Sequence, residues 1–275
     1  MDVAGKVAIV TGGAGGIGAA IARRLVSDGA KALIVDLDAA RVRATADEIN
    51  AAQPDSATSA AGDASDSATI ADWIALAESA FGPVDMYFAN AGIGGAPGLD
   101  LSDDQWAQVI DVNLLAHVRA ARALVPSWEE RGEGYFVSTA SAAGLLTQIG
   151  SAGYSVTKHA AVGFAEWLSI TYGDKGIRVS CLCPMGVDTK LLHPDEGAED
   201  GIGKLMQSAV ETAGRVLSPA QVADDVAAAI ADERFLILPH PEVLDMYRHK
   251  GSDYDRWLSG MRRYQQTLLG SSEPI

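Results

Sequence analysis

Cysteine is nearly absent from this sequence. Cys181 and Cys183 are the only two among 275 residues, and both lie in the apolar run from Val179 to Cys183. Residues two apart on a strand point to the same side but are poorly placed for a disulfide. We therefore expect two buried thiols, as in a protein from a reducing compartment.

Long apolar runs are also missing, since none reaches the roughly 18 residues that a membrane-spanning helix needs. No signal-peptide pattern precedes the first predicted strand, which begins at Lys6. The sequence therefore predicts a cytoplasmic protein that has no membrane partner.

Basic residues are scarce: 21 Lys and Arg stand against 36 Asp and Glu, a formal net charge of −15. Such a protein repels a phosphate backbone, which excludes nucleic acid as a partner unless a local basic patch intervenes. The histidines form no His-Glu-x-x-His or comparable ligand spacing. No metal site is predicted among His117, His159, His193, His240 and His249.

The remaining composition is that of an ordinary globular protein, with 48% hydrophobic and 21% charged residues. The chain is long enough to bury a full core. It has no internal repeat and no low-complexity linker, so residues 1–275 are predicted to form a single domain.

A glycine-rich turn, Thr11 to Gly18, lies between a predicted strand (Lys6 to Val10) and a helix that ends at Gly29. Glycines allow a tight turn and bring backbone N–H groups and the helix N-terminus against a pyrophosphate. The next predicted strand, Ala32 to Val35, is followed by Asp36. Its carboxylate can accept both ribose hydroxyls of an adenosine, or it can merely cap the helix predicted over 38–52.

The stretch from Ser141 to Lys158 carries the chemistry. Tyr154 and Lys158 are four apart on a predicted helix, so an ammonium lies beside a phenol and favours its phenolate. Tyr154 can then exchange a proton with a substrate oxygen, which the Ser141 hydroxyl can position. Alone, the pair also fits a solvated lysine beside a packed tyrosine.

Together, Thr-Gly-x-x-x-Gly-x-Gly and a serine followed by Tyr-x-x-x-Lys resemble the short-chain dehydrogenase/reductase family. The resemblance implies an α/β fold, a Rossmann-like doubly wound parallel sheet of about seven strands in the order 3-2-1-4-5-6-7, with helices on both faces. It assigns Gly12, Gly16 and Ile17 to cofactor contact and Gly18 to close helix packing.

Further motifs follow the family in order. Asp63-Ala64 resembles its adenine-contacting pair, and Asn90-Ala91-Gly92 its motif beside the nicotinamide. Asn113 resembles its fourth catalytic residue, an Asn that bends a helix, here predicted to run from Ser102 to about Trp128. In the segment after the sixth strand, Pro184, Val187 and Thr189 fit the cofactor-binding pattern, whereas Met185 replaces the usual glycine.

The function implied is hydride transfer between NAD and a secondary alcohol or ketone, with Asn113, Ser141, Tyr154 and Lys158 as catalytic residues. The cofactor is expected to be NAD because Asp36 and Asp38 repel a 2′-phosphate. Arg41 and Arg43 are expected to be solvated or paired with Asp38 and Asp47. The alternative function is a non-catalytic, redox-sensing NAD-binding protein.

Three regions lie outside the motifs. Residues 190–217 are predicted to form a lid, and residues 240–270 a helical extension. The helix from about Gly153 to Tyr172 has more apolar surface than one sheet face needs. The family pairs this helix between subunits, which implies a homodimer or homotetramer; the alternative is that its apolar residues all belong to the core of one chain.

Overall fold

In the computed structural model, seven parallel strands form one sheet in the order β3-β2-β1-β4-β5-β6-β7. The structure describes residues 1–94, 98–99, 101–193 and 201–270, with the backbone alone at 201–204 and 206. The predicted strand order and fold class are confirmed. The strands are β1 Val7–Thr11, β2 Lys31–Asp36, β3 Ala57–Ala61, β4 Met86–Ala89, β5 Gly134–Thr139, β6 Ile177–Leu182 and β7 Leu236–Ile237.

Helices alternate with these strands, as parallel pairing requires a crossover between successive strands. A π-helical turn, Asp111–Leu115, joins α4 to α5, and a 3-10 turn, Gly173–Lys175, follows α7. The α-helices of the described residues are α1 Gly16–Ser27, α2 Ala39–Ala52, α3 Ser67–Phe81, α4 Asp103–Ile110, α5 Ala116–Arg131, α6 Ala143–Leu146, α7 Ala152–Tyr172, α8 Gly201–Ala213, α9 Pro219–Ala231, α10 Glu242–Ser252 and α11 Tyr254–Gly270.

Both faces of the sheet are buried, because alternate strand residues point to opposite sides. On one face, strand residues such as Ile9 and Phe136 pack with α3, α5 and α7. On the other, residues such as Val10 and Val137 pack with α1, α2 and α9. The nearly continuous apolar runs of β1 and β5 are explained by these two helical layers.

Helix starts follow their predicted caps. Ser102 and Gln105 form a reciprocal capping box at α4. Ser218 caps α9, which has Pro219 at its first turn.

The predicted helix from Ser102 to about Trp128 is confirmed in its extent, since α4, the π-helical turn and α5 follow one another from Asp103 to Arg131. Asn113, which the resemblance implies to bend the helix, lies in the π-helical turn. The inserted residue of such a turn rotates the following side chains by about 100° around the helix axis.

The C-terminal region adds two helices beyond the sheet. α10 packs against α6, and α11 packs against α8. Residues 194–200 of the predicted lid lie outside the described residues. No helix among residues 1–94, 101–193 and 201–270 is long and apolar enough to cross a membrane.

Candidate active site

A cavity of about 970 Å³ opens where the carboxyl ends of β1, β2, β4, β5 and β6 meet. This edge is where parallel α/β sheets bind ligands. Most of the site residues predicted from the sequence line it. They are Gly12, Gly16, Ile17, Asp36, Asn90, Gly92, Ser141, Tyr154, Lys158, Pro184, Val187 and Thr189.

The glycine-rich turn forms one end of the cavity and leaves the N-terminus of α1 open. Gly12 has φ of 66°, in the left-handed region that side chains avoid. A Cβ on Gly18 would lie 2.3 Å from the Gly12 carbonyl oxygen, so only glycine allows the turn to pack against α1. This cradle fits the pyrophosphate of a dinucleotide, for which the helix N-terminus offers N–H groups and a positive dipole end.

Asp36 ends β2 beside this turn. Its carboxylate accepts hydrogen bonds from the Ala14 amide at 3.1 Å and from the Asp38 amide at 3.2 Å. The cap of α2 is Asp38, which accepts from the Ala40 and Arg41 amides. The interpretation of Asp36 as the helix cap is therefore wrong, and its carboxylate remains on the cavity wall.

Arg41 is exposed, which agrees with the expected solvated side chain. Among the described residues it makes no ion pair with Asp38 or Asp47; instead its side chain lines the cavity. The guanidinium Nη2 lies 2.7 Å from where a Cβ on Gly15 would be. A cation is thus held against the glycine-rich turn, and the missing side chain at Gly15 makes room for it.

The predicted adenine-contacting pair is not brought to the cavity wall. Asp63 and Ala64 follow β3, but neither lines the cavity. The Asp63 carboxylate accepts hydrogen bonds from the amide and hydroxyl of Ser65, both at 2.8 Å. This turn leads into α3, whose cap is Asp66.

Ser141 and Tyr154 meet in the middle of the cavity. The Ser141 hydroxyl donates to the Pro184 carbonyl at 3.4 Å and accepts from the Ala143 amide at 3.1 Å. A hydrogen bond to Ser141 lowers the pKa of the Tyr154 phenol, but burial is the larger effect and raises that pKa above its usual value. The lowered pKa expected for Tyr154 beside Lys158 is therefore not found, because burial outweighs it.

Lys158 is buried, so the interpretation of the motif as a solvated lysine is wrong. Its ammonium donates to the Thr139 carbonyl at 2.9 Å, at the end of β5. Burial lowers its pKa from 10.5 to about 8. It lies 5.6 Å from the centre of the Tyr154 ring. His159, the next residue, points away from this cavity as expected, with its Nδ1 2.8 Å from the Ser155 carbonyl.

Asn113 lies behind the cavity wall, in the π-helical turn. Its side-chain amide accepts from the Ile93 amide and donates to the Ile93 carbonyl, both at 2.9 Å. It also donates to the Thr157 hydroxyl at 3.1 Å. A Cβ on Gly92 would lie 3.3 Å from Asn113 Oδ1 and 3.4 Å from Lys158 Nζ. Asn113 thus connects the segment after β4 to the helix that carries Lys158.

Two threonines that the sequence did not single out hold the Asn90 segment. The Thr11 hydroxyl accepts from the Asn90 and Ala91 amides, both at 2.9 Å, and donates to the Phe88 carbonyl. The Asn90 side chain donates to the Thr11 carbonyl at 3.0 Å and accepts from the Thr139 hydroxyl at 3.3 Å. The ends of β1, β4 and β5 are therefore linked at the cavity floor.

Met185 occupies the position where the family pattern has glycine. Its backbone is not in the left-handed region, so a side chain is accepted there. Its amide donates to His240 Nδ1 at 3.1 Å, while His240 Nε2 donates to the Arg215 carbonyl at 2.9 Å. The Met185 side chain lines the cavity and packs over Gly214.

The far side of the cavity is mostly apolar and comes from elements for which the sequence offered no motif. Trp257, Met261 and Tyr264 of α11 and Met246 of α10 lie there. The Tyr264 hydroxyl is 2.6 Å from the Thr212 hydroxyl of α8. The predicted lid contributes Lys190, Leu191, Leu192, Gln207, Ala209, Val210, Thr212 and Ala213 to the cavity lining.

Comparisons with known proteins agree with this geometry. A family model described as short chain dehydrogenase matches residues 6–200. The 1-deoxy-11-beta-hydroxypentalenate dehydrogenase of Streptomyces avermitilis is 30% identical, with 100% of each chain covered. The cyclohexanol dehydrogenase of an Acinetobacter species is 32% identical over 87% of this chain and 93% of that protein.

A solved structure is also similar. It is a short chain dehydrogenase/reductase from Burkholderia phymatum in complex with NAD, with a TM-score of 0.84 and 31% identity, covering 93% of this chain and 96% of that one. The chain belongs to the short-chain dehydrogenase/reductase family. It is an oxidoreductase that uses a nicotinamide cofactor and acts on alcohols.

Proposed function

We propose that this protein is an NAD-dependent oxidoreductase that interconverts a secondary alcohol and its ketone, with Tyr154 as the general acid/base. The observation that carries the proposal is that Ser141, Tyr154 and Lys158 line the same cavity as the glycine-rich turn. One end of the cavity can hold a dinucleotide while the other holds the reacting oxygen.

Each residue then has a distinct role. The cofactor, when bound, supplies the hydride acceptor or donor. Tyr154 takes the proton from the alcohol or returns it to the ketone oxygen. Ser141 donates a hydrogen bond to that oxygen. To do so, its hydroxyl gives up the weak 3.4 Å hydrogen bond that it donates to the Pro184 carbonyl. Lys158 holds the cofactor ribose and favours the phenolate through its charge.

Asn113 acts as a positioning residue in this proposal. It does not line the cavity, but its amide group fixes Ile93 and Thr157 on either side of Lys158. The remaining cofactor contacts are proposed for residues that line the cavity: Gly12, Gly16, Ile17, Asp36, Asn90, Gly92, Pro184, Val187 and Thr189. Asp63 and Ala64 do not line it, so no cofactor contact is proposed for them.

The preference for NAD over NADP rests on Asp36. Its carboxylate lies on the cavity wall beside the glycine-rich turn, where it can accept ribose hydroxyls and repel a 2′-phosphate. The NAD complex of the Burkholderia phymatum relative supports the same choice. Arg41 also lines this cavity and could instead favour a 2′-phosphate, so its contribution is tested below.

The substrate is proposed to have an apolar body. The wall opposite the glycine-rich turn presents Met246, Trp257 and Met261, which favour hydrocarbon surface over charge. The relatives named for pentalenate and cyclohexanol oxidation support a cyclic alcohol.

The test is to follow NADH formation with a panel of cyclic and open-chain secondary alcohols, using the unmodified protein and Tyr154→Phe. We expect turnover with cyclic alcohols, and a loss of at least about 100-fold in the variant with cofactor binding retained. Near-normal turnover by Tyr154→Phe contradicts the mechanism. Tight NAD binding without turnover across the whole panel would instead favour the redox-sensing alternative.

We also propose that the protein is a homodimer or homotetramer. α7 leaves Trp167 and Ile170 exposed, at 53% and 84%. Trp167 is stacked on Phe164 and edge-on to Tyr172, which gives an aromatic surface. Light scattering after size exclusion measures the subunit number, and a monomer at all concentrations contradicts the proposal.

A further inference from the structure

A second cavity, of about 760 Å³, lies behind the wall of the candidate active site. The segment from Leu146 to Ile149, together with Trp257 and Met261, lines both cavities. The other lining residues of the second cavity come mainly from α7, α10 and α11, and neither Ser141 nor Tyr154 is among them. It is therefore a separate compartment from the one that holds the reacting oxygen.

The charge of this second cavity is opposite to that of the protein. Among the described residues that line it there is no Asp or Glu, although the whole chain carries a formal charge of −15. Its lining includes Lys250 and Arg262, as well as His159. A local excess of positive charge in an acidic protein attracts anions.

Lys250 is the buried cation of the second cavity. It is only 5% exposed, and its ammonium donates to the Leu145 carbonyl at 2.6 Å. His159 Nδ1 faces the Ser155 carbonyl, which only accepts, so Nε2 is left as an acceptor for Lys250 at 3.3 Å. The Tyr254 ring lies 5.6 Å away.

These contacts leave the charge of Lys250 without a counter-ion. The Leu145 carbonyl and the His159 imidazole take two of the three N–H donors, so the third can be donated to an anion, and neither partner carries a negative charge. No carboxylate of the described residues lies within 4.0 Å of the ammonium. Buried charges are ordinarily paired, because an isolated one is strongly unfavourable.

The same cavity is rich in exposed apolar side chains. Leu99, Val156 and Leu258 all line it, and each is among the large hydrophobic residues most exposed in the protein. A simple inorganic anion would leave this surface in water. An occupant that has both an anionic group and a hydrocarbon body covers the apolar surface and neutralises Lys250.

We propose that the second cavity binds an amphipathic organic carboxylate, with its anionic group at Lys250 and its hydrocarbon body against Val156 and Leu258. The proposal concerns a site outside the oxidoreductase chemistry and stands whether or not that chemistry is assigned correctly.

Titration calorimetry with octanoate, and with octanamide as its neutral counterpart, tests the proposal. The unmodified protein should bind one octanoate per chain, at least about 10-fold more tightly than octanamide, since charge-assisted hydrogen bonds are the stronger ones. Lys250→Met should remove this preference. Lys175→Met is the matched control, because that lysine is exposed and paired with Glu129. It should bind octanoate as the unmodified protein does.

Val156→Trp provides a second variant in case Lys250→Met does not fold. Val156 lines only the second cavity, so a larger side chain there should block octanoate and leave NADH binding unchanged. Octanoate binding that survives Val156→Trp, or that is equal in Lys250→Met, overturns the proposal. So does the absence of octanoate binding from the unmodified protein.

Discussion

The ammonium nitrogen of Lys158 lies 5.6 Å from the centre of the Tyr154 ring and donates to the Thr139 carbonyl at 2.9 Å. Thr139 ends β5, so the position of the lysine is set by the sheet. Both groups are removed from water, which raises the pKa of Tyr154 and lowers that of Lys158 to about 8. Burial acts against the charged form of each group.

The first prediction concerns the pH dependence of catalysis. Oxidation needs the Tyr154 phenolate as base, whereas reduction needs the protonated phenol. Because burial raises the pKa of Tyr154 above its usual value of about 10, kcat/KM for oxidation should increase with pH up to and beyond about pH 10, and kcat/KM for reduction should decrease only above about pH 10. Initial rates in both directions measure this, and an oxidation rate that falls with pH contradicts the assignment.

The second prediction concerns stability. The pKa of Lys158 is 10.5 in the unfolded chain and about 8 in the folded protein. Between pH 8 and pH 10.5 the unfolded state therefore binds more protons than the folded state. Stability relative to Lys158→Met should therefore increase as pH rises through this window, by on the order of 3 kcal/mol at most. Urea unfolding at several pH values measures the difference, and Lys175→Met should show no such trend.

The third prediction tests the positioning role of Asn113. Asn113→Ala leaves the amide and carbonyl of Ile93 without their partner, which should cost about 1–3 kcal/mol in the free energy of unfolding. Thr157→Val is the comparison. It removes one bond to Asn113 and the bond from the hydroxyl to the Gly153 carbonyl of its own helix, but it leaves both backbone groups of Ile93 paired and should have the smaller effect. Both are measured by urea unfolding. Equal stability of Asn113→Ala and the unmodified protein contradicts the role.

Much of the fold could be predicted because its signals are local. Ser102 precedes a helix that begins where predicted, and the glycine-rich turn lies between a strand and a helix as expected. The strand order came from the family resemblance and could not come from the strands themselves. All of the central strands are apolar on both faces, so their periodicity does not identify their neighbours.

The site was predictable where it follows a strand and unpredictable where it depends on distant segments. Gly12, Asp36 and Asn90 stand at strand ends and all reach the cavity. Lys250 contacts Leu145, 105 positions earlier, and no local pattern distinguishes it from a solvated lysine at a helix C-terminus. The exposure of Arg41 was predicted, but its approach to the glycine-rich turn could not be, since that depends on the missing side chain at Gly15.

The fourth prediction concerns substrate size. Met246 lines the active-site cavity, whereas the adjacent Tyr247 is exposed and does not. Met246→Trp should lower kcat/KM for bulky cyclic alcohols at least about 10-fold more than for small ones, because added volume in a packed wall costs about 1–3 kcal/mol. Tyr247→Trp is the matched control and should leave the ratio unchanged. An unchanged ratio in both variants removes Met246 from the substrate wall.

The last prediction separates the two charged groups at the adenosine end of the cavity. Asp36 faces the ribose position, where in a partly desolvated site each unit-charge pair with a 2′-phosphate costs about 1–4 kcal/mol. Asp36→Ala should therefore weaken the binding of NAD. It should also reduce the preference for NAD over NADP, measured as the ratio of kcat/KM, by at least about 10-fold. Asp47→Ala is the control, since that acid of α2 does not line the cavity, and it should change the ratio by less than about 2-fold.

Arg41 should affect the binding of NAD and of NADP equally. Its guanidinium lies against the glycine-rich turn without an acidic partner among the described residues, so it can contact an adenosine ring or a phosphate. We expect Arg41 to contact a part that NAD and NADP share, so that Arg41→Ala raises KM for both cofactors by the same factor. A selective loss of NADP would show that Arg41 receives a 2′-phosphate. If the unmodified protein has comparable kcat/KM values with NAD and with NADP, the proposal that Asp36 determines a preference for NAD is contradicted.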